Sequence, residues 1–171
     1  MQNNYKTEQV QRLLVNLNST LSQLEREGIV PAEALKQSRY EQIRLLGIPI
    51  TIFNSKLAVL ESVVKYMREN LFLNYGDISR LIGRSESVVG VTYRRAKKKV
   101  VGALNVDSAD YISFGIFSNK SLSVLEVVSI NLLERGFSIK KIAKILCRDY
   151  KTVWTVLSRA QNKLKGVKNK Q

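Results

Sequence analysis

The strongest constraint on the fold of this chain is that it writes one pattern twice. Residues 52–72 align with 116–137 and residues 74–102 with 138–166, with an insertion at Ser121 and one skipped residue at Leu73. Seventeen of the 50 aligned pairs are identical. Among them are Ile52-Phe53 with Ile116-Phe117, Leu57 with Leu122, Val59-Leu60-Glu61 with Val124-Leu125-Glu126, and Ile78 with Ile142. Arg84 with Arg148, Val89 with Val153 and Arg95-Ala96 with Arg159-Ala160 continue the series. Two unrelated basic amphipathic helices can look alike, but that likeness does not run through three successive segments at a nearly constant offset. The chain is a duplication, and its fold must be buildable twice from one pattern.

The periodicity predicts three helices per copy. The first, around 56–70 and 121–135, puts Leu57, Leu60, Val64 and Leu122, Leu125, Val128 on one face by spacings of three and four, as a core helix requires. Asn74 to Gly76 and Gly136 break the pattern, with Asp77 and Ser138 available near the next helix starts. The second helix is short, 78–82 and 139–146. A three-residue turn follows, Gly83-Arg84-Ser85 or Cys147-Arg148-Asp149, with Ser85 and Asp149 as side-chain caps of the third helix. The first residue of such a turn is often left-handed, which glycine adopts freely and a residue with a Cβ at a cost of roughly 1 kcal/mol. Cys147 therefore departs from the glycine pattern, and it reads as a small buried thiol rather than a redox centre.

In the third helix Val89, Tyr93, Ala96 and Val100 recur at four, three and four, as do Val153, Leu157, Ala160 and Leu164, and each set makes one inward stripe. The opposite face is then readable. It carries Glu86, Ser87, Gly90, Val91 and Arg94 in the first copy, and Tyr150, Lys151, Trp154, Thr155 and Ser158 in the second. Arg95 and Arg159 lie at the margin of the stripe, one turn from the end, within reach of a phosphate.

The stretch IKKIAKILCRDYKTVWTVLSRAQNKLK, residues 139–165, resembles the helix-turn-helix of sigma factor region four. That family typically shows an Ile-Ala pair, a Leu-Gly turn, a capped Thr-Val helix, then Arg-Ala and Lys-Leu. DISRLIGRSESVVGVTYRRAKKK, residues 77–99, is similar, with Ser79 in place of the alanine. The resemblance implies major-groove DNA binding with the third helix as reader. Nothing in the chain resembles sigma region two, which melts promoters, so a regulator rather than a complete sigma factor is implied.

Charge points the same way. Lys and Arg total 28 against 14 acidic residues, a net charge of +14. Residues 1–49 hold six basic and five acidic side chains, leaving 28 − 6 = 22 basic and 14 − 5 = 9 acidic in residues 50–171, so the excess belongs to the repeated part. Arg94, Arg95, Lys97, Lys98 and Lys99 put five cations in six positions, and residues 140–171 hold ten cations against Asp149 alone. Such clusters neutralise phosphates and supply affinity without sequence information. Arg84, Arg148 and Lys163 join the phosphate-facing set. Base selection falls to groove-facing side chains: Lys151 can donate to guanine, Thr155 offers a hydroxyl or a methyl, and Tyr150 and Trp154 can touch a thymine methyl or the sugar-phosphate wall. Trp154 can equally pack on a neighbouring helix or subunit. Glu86 and Gly90 give the first copy a poorer reading face, one acceptor and one gap, with Ser87 beside them. The second copy is thus expected to read sequence and the first to clamp the backbone.

Before the repeats, Val10, Leu14, Leu17, Leu21 and Leu24 alternate spacings of four and three on a helix over about 7–27, which Gly28 stops. A second helix runs from Pro31 towards Leu46, ended by Gly47 and Pro49. The apolar seam serves either a homodimer on a palindromic site or the cover of an apolar face of its own chain. Residues 102–113, GALNVDSADYIS, read as a linker, and KGVKNKQ as a basic tail. Ile52-Phe53 and Ile116-Phe117 enlarge the unit beyond a minimal helix-turn-helix, with the aromatics expected beneath it.

The expected architecture is all-α: an N-terminal helical segment (1–48) and two tandem helix-turn-helix, three-helix modules (49–104 and 105–171). Without histidine, and with Cys147 alone, a zinc site and an internal disulfide are not expected, and no convergent carboxylate pair suggests an enzyme. No cofactor is expected. No apolar run nears the roughly 18–20 residues that span a bilayer, and MQNNYKTEQ lacks the apolar core of a signal peptide, so a cytosolic, nucleoid-associated protein with no membrane partner is expected. The leading function is a sequence-specific, double-stranded DNA-binding transcription regulator. Two alternatives stay open: a sigma-like adaptor for RNA polymerase or another protein, and a sequence-indifferent nucleoid or RNA-binding protein.

Overall fold

The computed structural model describes residues 20, 23, 24, 26–28, 47–108 and 110–168, with side chains to residue 165. The chain divides into two compact units, residues 1–43 and 44–171. In the first, Thr20, Gln23, Leu24 and Arg26 are helical, and the backbone turns at Glu27 and Gly28, where φ is +74°. Leu24 is half-buried. Val10, Leu14, Leu17 and Leu21 lie outside the described residues, as does the helix expected from Pro31.

The second unit holds both copies of the repeat and is mostly helical. The first copy runs through a 3-10 helix (Ile50–Ile52), α1 (Val59–Glu69), α2 (Tyr75–Ile82) and α3 (Glu86–Lys99). The second runs through a 3-10 helix (Phe114–Ser118), α4 (Val124–Glu134), α5 (Ile139–Leu146) and α6 (Tyr150–Lys168). Two short strands, β1 (Ile48–Pro49) and β2 (Tyr111–Ile112), pair antiparallel, with Ile48 opposite Ile112 and Pro49 opposite Tyr111. An all-helical reading did not anticipate this ladder, because two residues per strand carry no alternation to detect.

Caps set the helix starts. Ser123 and Glu126 form a capping box on α4: Glu126 N donates to Ser123 Oγ (3.2 Å), and Ser123 N donates to Glu126 Oε2 (2.7 Å). In the first copy only the acidic half survives, Ala58 N donating to Glu61 Oε2 (2.8 Å), because Ala58 has no side-chain acceptor. Asn74, not Asp77, caps α2; its Oδ1 accepts from Asp77 N at 2.8 Å. Ser138 caps α5 and Ser85 caps α3. Gly83 and Cys147 both end their helices left-handed, φ +62° and +50°, as the turn requires. Cys147 is nevertheless exposed rather than buried.

The inward stripes hold. Val89, Ala96, Val153, Leu157 and Ala160 are buried, while Tyr93, Val100 and Leu164 are half-buried. Of the first-helix residues, Leu57, Val64, Leu122 and Val128 are buried and Leu60 and Leu125 half-buried. The α1 core also takes in Lys65, whose fully buried side chain donates from Nζ to Glu69 Oε2 at 2.6 Å. Tyr93 OH donates to the other oxygen of Glu69.

One alignment position needs correction. Leu73 N donates to Met67 O (3.0 Å) and Phe137 N to Leu132 O (3.1 Å), and Met67 and Leu132 are equivalent positions. Leu73 therefore takes the place of Phe137, and Phe72 takes that of Gly136: both are left-handed, φ +55° and +85°. The extra residue sits at Leu71, since Asn70 N and Leu71 N both donate to Tyr66 O. Sequence identity aligned the two phenylalanines; backbone bonding separates them.

The two copies are joined by contacts that each returns to the other. The first 3-10 helix packs on α1 of its own copy and on α5 of the second; the second packs on α4 of its own copy and on α2 of the first. Ile52, Phe53 and Phe117 are buried there, beneath the helices as expected. Helix α1 also packs on α4. The expected linker is tied down as well: Asn70 Nδ2 donates to Leu104 O, Leu104 N donates back to Asn70 Oδ1, and Ile50 N donates to Asp110 O.

Candidate nucleic-acid interface

On α6 the buried stripe of Val153, Leu157 and Ala160 leaves one outward face. Tyr150 and Trp154 are 48% and 55% exposed, and Lys151 beside them is exposed. Thr155 and Ser158 are half-buried on the same face. Thr155 Oγ1 donates to Lys151 O at 2.8 Å, so its hydroxyl proton is committed to the helix and its methyl is what remains to offer. The helix thus brings together all five residues expected to face a groove, with Arg159 exposed one turn further on. Trp154 is more than half exposed, which leaves it available to a groove or to a neighbouring helix or subunit.

On α3, Glu86, Ser87, Val91 and Arg94 are exposed, and Ser87 Oγ lies 3.0 Å from Ser85 Oγ. Gly90 is not the gap expected from the sequence. It is buried, and a Cβ placed on it would stand 3.6 Å from Tyr75 Cε2 and 3.7 Å from Arg94 Nη1. Tyr75 is held there from both sides, its ring 6.1 Å from that of Tyr93 and 5.4 Å beneath the Arg68 guanidinium. Where Tyr75 covers the glycine on α3, the matching position of α6 carries the exposed Trp154, and the position matching Tyr75 carries Ile139.

The cations separate into two kinds. Arg84 Nη2 donates to Leu122 O (2.7 Å) and Arg148 Nη2 to Leu57 O (2.6 Å), each guanidinium crossing to the other copy. Lys99 Nζ contacts both Glu61 oxygens at 2.7 Å, and Lys163 Nζ contacts those of Glu126 at 2.9 and 2.8 Å. Burial pushes the Glu61 and Glu126 carboxyls up. Their lysines and the backbone N–H groups of Ala58 and Ser123 outweigh it and hold both below the ordinary carboxylate value. Arg94, Arg95, Lys97, Lys98, Lys151 and Arg159 are exposed and bond to no other described side chain.

The sequence contained the signal for this division. Arg84 with Arg148, Lys99 with Lys163 and Glu61 with Glu126 are identical pairs, while no outward-face position of the third helix matches between copies. These kept pairs serve the fold, whereas Arg95 and Arg159 are kept as well and stand exposed. The glutamate partners were missed because they lie 38 and 37 residues from their lysines.

Among the described residues no group of His, Cys, Asp or Glu converges to hold a metal ion, and no helix is long and apolar enough to cross a membrane. No family model matches this chain, and no curated protein or solved structure gives a significant match.

Proposed function

We propose that this chain is a double-stranded DNA-binding protein, a sequence-specific transcription regulator that uses α2–α3 and α5–α6 as two helix-turn-helix units. The observation that carries the reading is the outward face of α6. Tyr150, Lys151 and Trp154 stand exposed on the first turns of a helix that follows a short helix and a three-residue, left-handed turn. In such a motif the first turns of the second helix meet base edges in the major groove. Exposed aromatics beside a lysine offer apolar contact and a guanine donor in one place.

Five exposed cations that make no hydrogen bond or ion pair with a described side chain, Arg94, Arg95, Lys97 and Lys98 on α3 and Arg159 on α6, supply phosphate contacts. If all five engage, the slope of log K against log salt is about −4.5, at roughly −0.9 per phosphate. The first unit contributes mainly to this electrostatic part, because Tyr75 fills its groove-facing position at Gly90. The experiment is binding to duplexes of selected and scrambled sequence. Trp154→Ala and Lys151→Ala flatten the preference between them, whereas Arg94→Ala and Lys98→Ala weaken both alike. Equal losses of preference from the two sets would refute the division of labour, and absence of duplex binding would refute the function.

A further inference from the structure

The contacts between the two copies are isologous. Arg84, after α2, donates to the carbonyl of Leu122 before α4; Arg148, the equivalent residue after α5, donates to the carbonyl of Leu57 before α1. Leu57 and Leu122 are themselves equivalent. Cys147 Sγ lies 3.9 Å from Phe53 O, and the matching position Gly83 lies against Phe117 O, 3.7 Å from where its Cβ would stand. Each 3-10 helix packs on the second helix of the opposite copy. Ile48 and Ile112, each four residues before the paired Ile-Phe, are fully buried and lie opposite each other in the antiparallel ladder.

A stack of repeats related by translation cannot give this pattern, since the contact that one copy makes forward is not returned. A residue that pairs antiparallel with its own counterpart needs a two-fold axis between them, as in a symmetric dimer.

We infer that the chain is a dimer fused into one polypeptide, and that one copy of it engages a bipartite duplex site whose two half-sites run in opposite polarity. The inference rests on the DNA-binding reading above and adds to it the symmetry and stoichiometry of the target. Two-fold helix-turn-helix pairs match half-sites of opposite polarity, because the duplex carries two-fold axes between its strands. Here the scaffold has the axis and the reading faces do not: Tyr-Lys-Trp-Thr on α6 stands against Glu-Ser-Gly-Val on α3. A nearly symmetric scaffold therefore selects an asymmetric site, and a second chain is not required to complete it.

The test makes the faces equal and reads the symmetry of the DNA they select. Glu86→Tyr, Ser87→Lys and Val91→Thr together change three exposed positions and leave the core untouched. A second variant adds Tyr75→Ile with Gly90→Trp, the pair that the second copy carries as Ile139 and Trp154, so folding of either variant suffices. Each is used, beside the wild-type chain, to select from random duplexes of about three helical turns, roughly 30 bp, and the complexes are weighed by native mass spectrometry. The expected result is an inverted repeat for the symmetrised variants, bound by one chain. A direct repeat, a motif unchanged from the wild type, or two chains per site would overturn the inference while leaving DNA binding in place. Failure of the wild-type chain to bind any duplex would remove both.

Discussion

Replacing Arg148 with alanine separates a phosphate contact from a structural tie. The guanidinium makes two charge-assisted bonds, to Cys147 O at 2.7 Å beside it and to Leu57 O at 2.6 Å in the other copy. The first is local and exposed and contributes little. The second is part-buried, reaches across 91 residues of chain, and ends on the carbonyl of a residue that is 1% exposed. Hydrogen bonds to charged groups contribute about 1.5–3 kcal/mol, and the carbonyl left behind must be resolvated at the edge of a packed joint. Because the guanidinium is only half-buried, the lower part of that range applies, about 2 kcal/mol. For a chain of 171 residues that corresponds to a fall in Tm of roughly 4–8 °C. Thermal unfolding by circular dichroism reads it directly, and Arg84→Ala gives a similar fall through its bond to Leu122 O. In parallel, DNA affinity is measured against salt. Arg148→Ala leaves the slope unchanged, whereas Lys98→Ala lowers its magnitude by about 0.9 and leaves Tm in place. An Arg148→Ala protein with unchanged Tm and a shallower slope would refute the assignment of this residue to the joint.

Three further outcomes test the fold. Gly47→Ala brings a Cβ to 2.8 Å from Ile112 O at a position where φ is +72°, and costs about 2 kcal/mol in chemical denaturation; a loss below about 0.5 kcal/mol would mean that the two strands do not approach so closely. Phe72→Gly relieves a left-handed backbone at a residue 74% exposed, and raises the denaturation midpoint by the equivalent of about 0.5–1 kcal/mol; a lowered midpoint would show that the aromatic packs in the folded chain. Glu61 and Glu126 titrate below their unfolded value of 4.5, so their stabilisation is fully present above that pH and is lost as the pH falls through the lower folded values. Tm measured from neutral to acid pH should therefore drop more steeply in the wild type than in Glu126→Gln, and parallel curves would count against the Lys163 pairing.

The sequence by itself determined the local structure. Spacings of three and four placed every core helix of the second unit, and the order helix, three-residue turn, helix was legible from Gly83-Arg84-Ser85 and Cys147-Arg148-Asp149, because helical periodicity and turn chemistry act over a few residues. The outward face of α6 was legible for the same reason: once Val153, Leu157 and Ala160 point inward, Tyr150, Lys151 and Trp154 have nowhere to go but out. Only the tertiary structure decided which cations are free. Lys99 and Lys163 look like part of a basic run until Glu61 and Glu126 arrive from another helix, and Arg84 and Arg148 look like turn residues near a phosphate until each meets a carbonyl of the opposite copy. Tyr75 covering Gly90 and Leu73 standing in for Phe137 were decided in the same way, by backbone and ring positions that no local pattern encodes. The relation between the copies belongs here as well. Duplication says that a unit occurs twice, but a sequence repeats by translation, and only packing in three dimensions can turn that translation into contacts that each copy gives and receives.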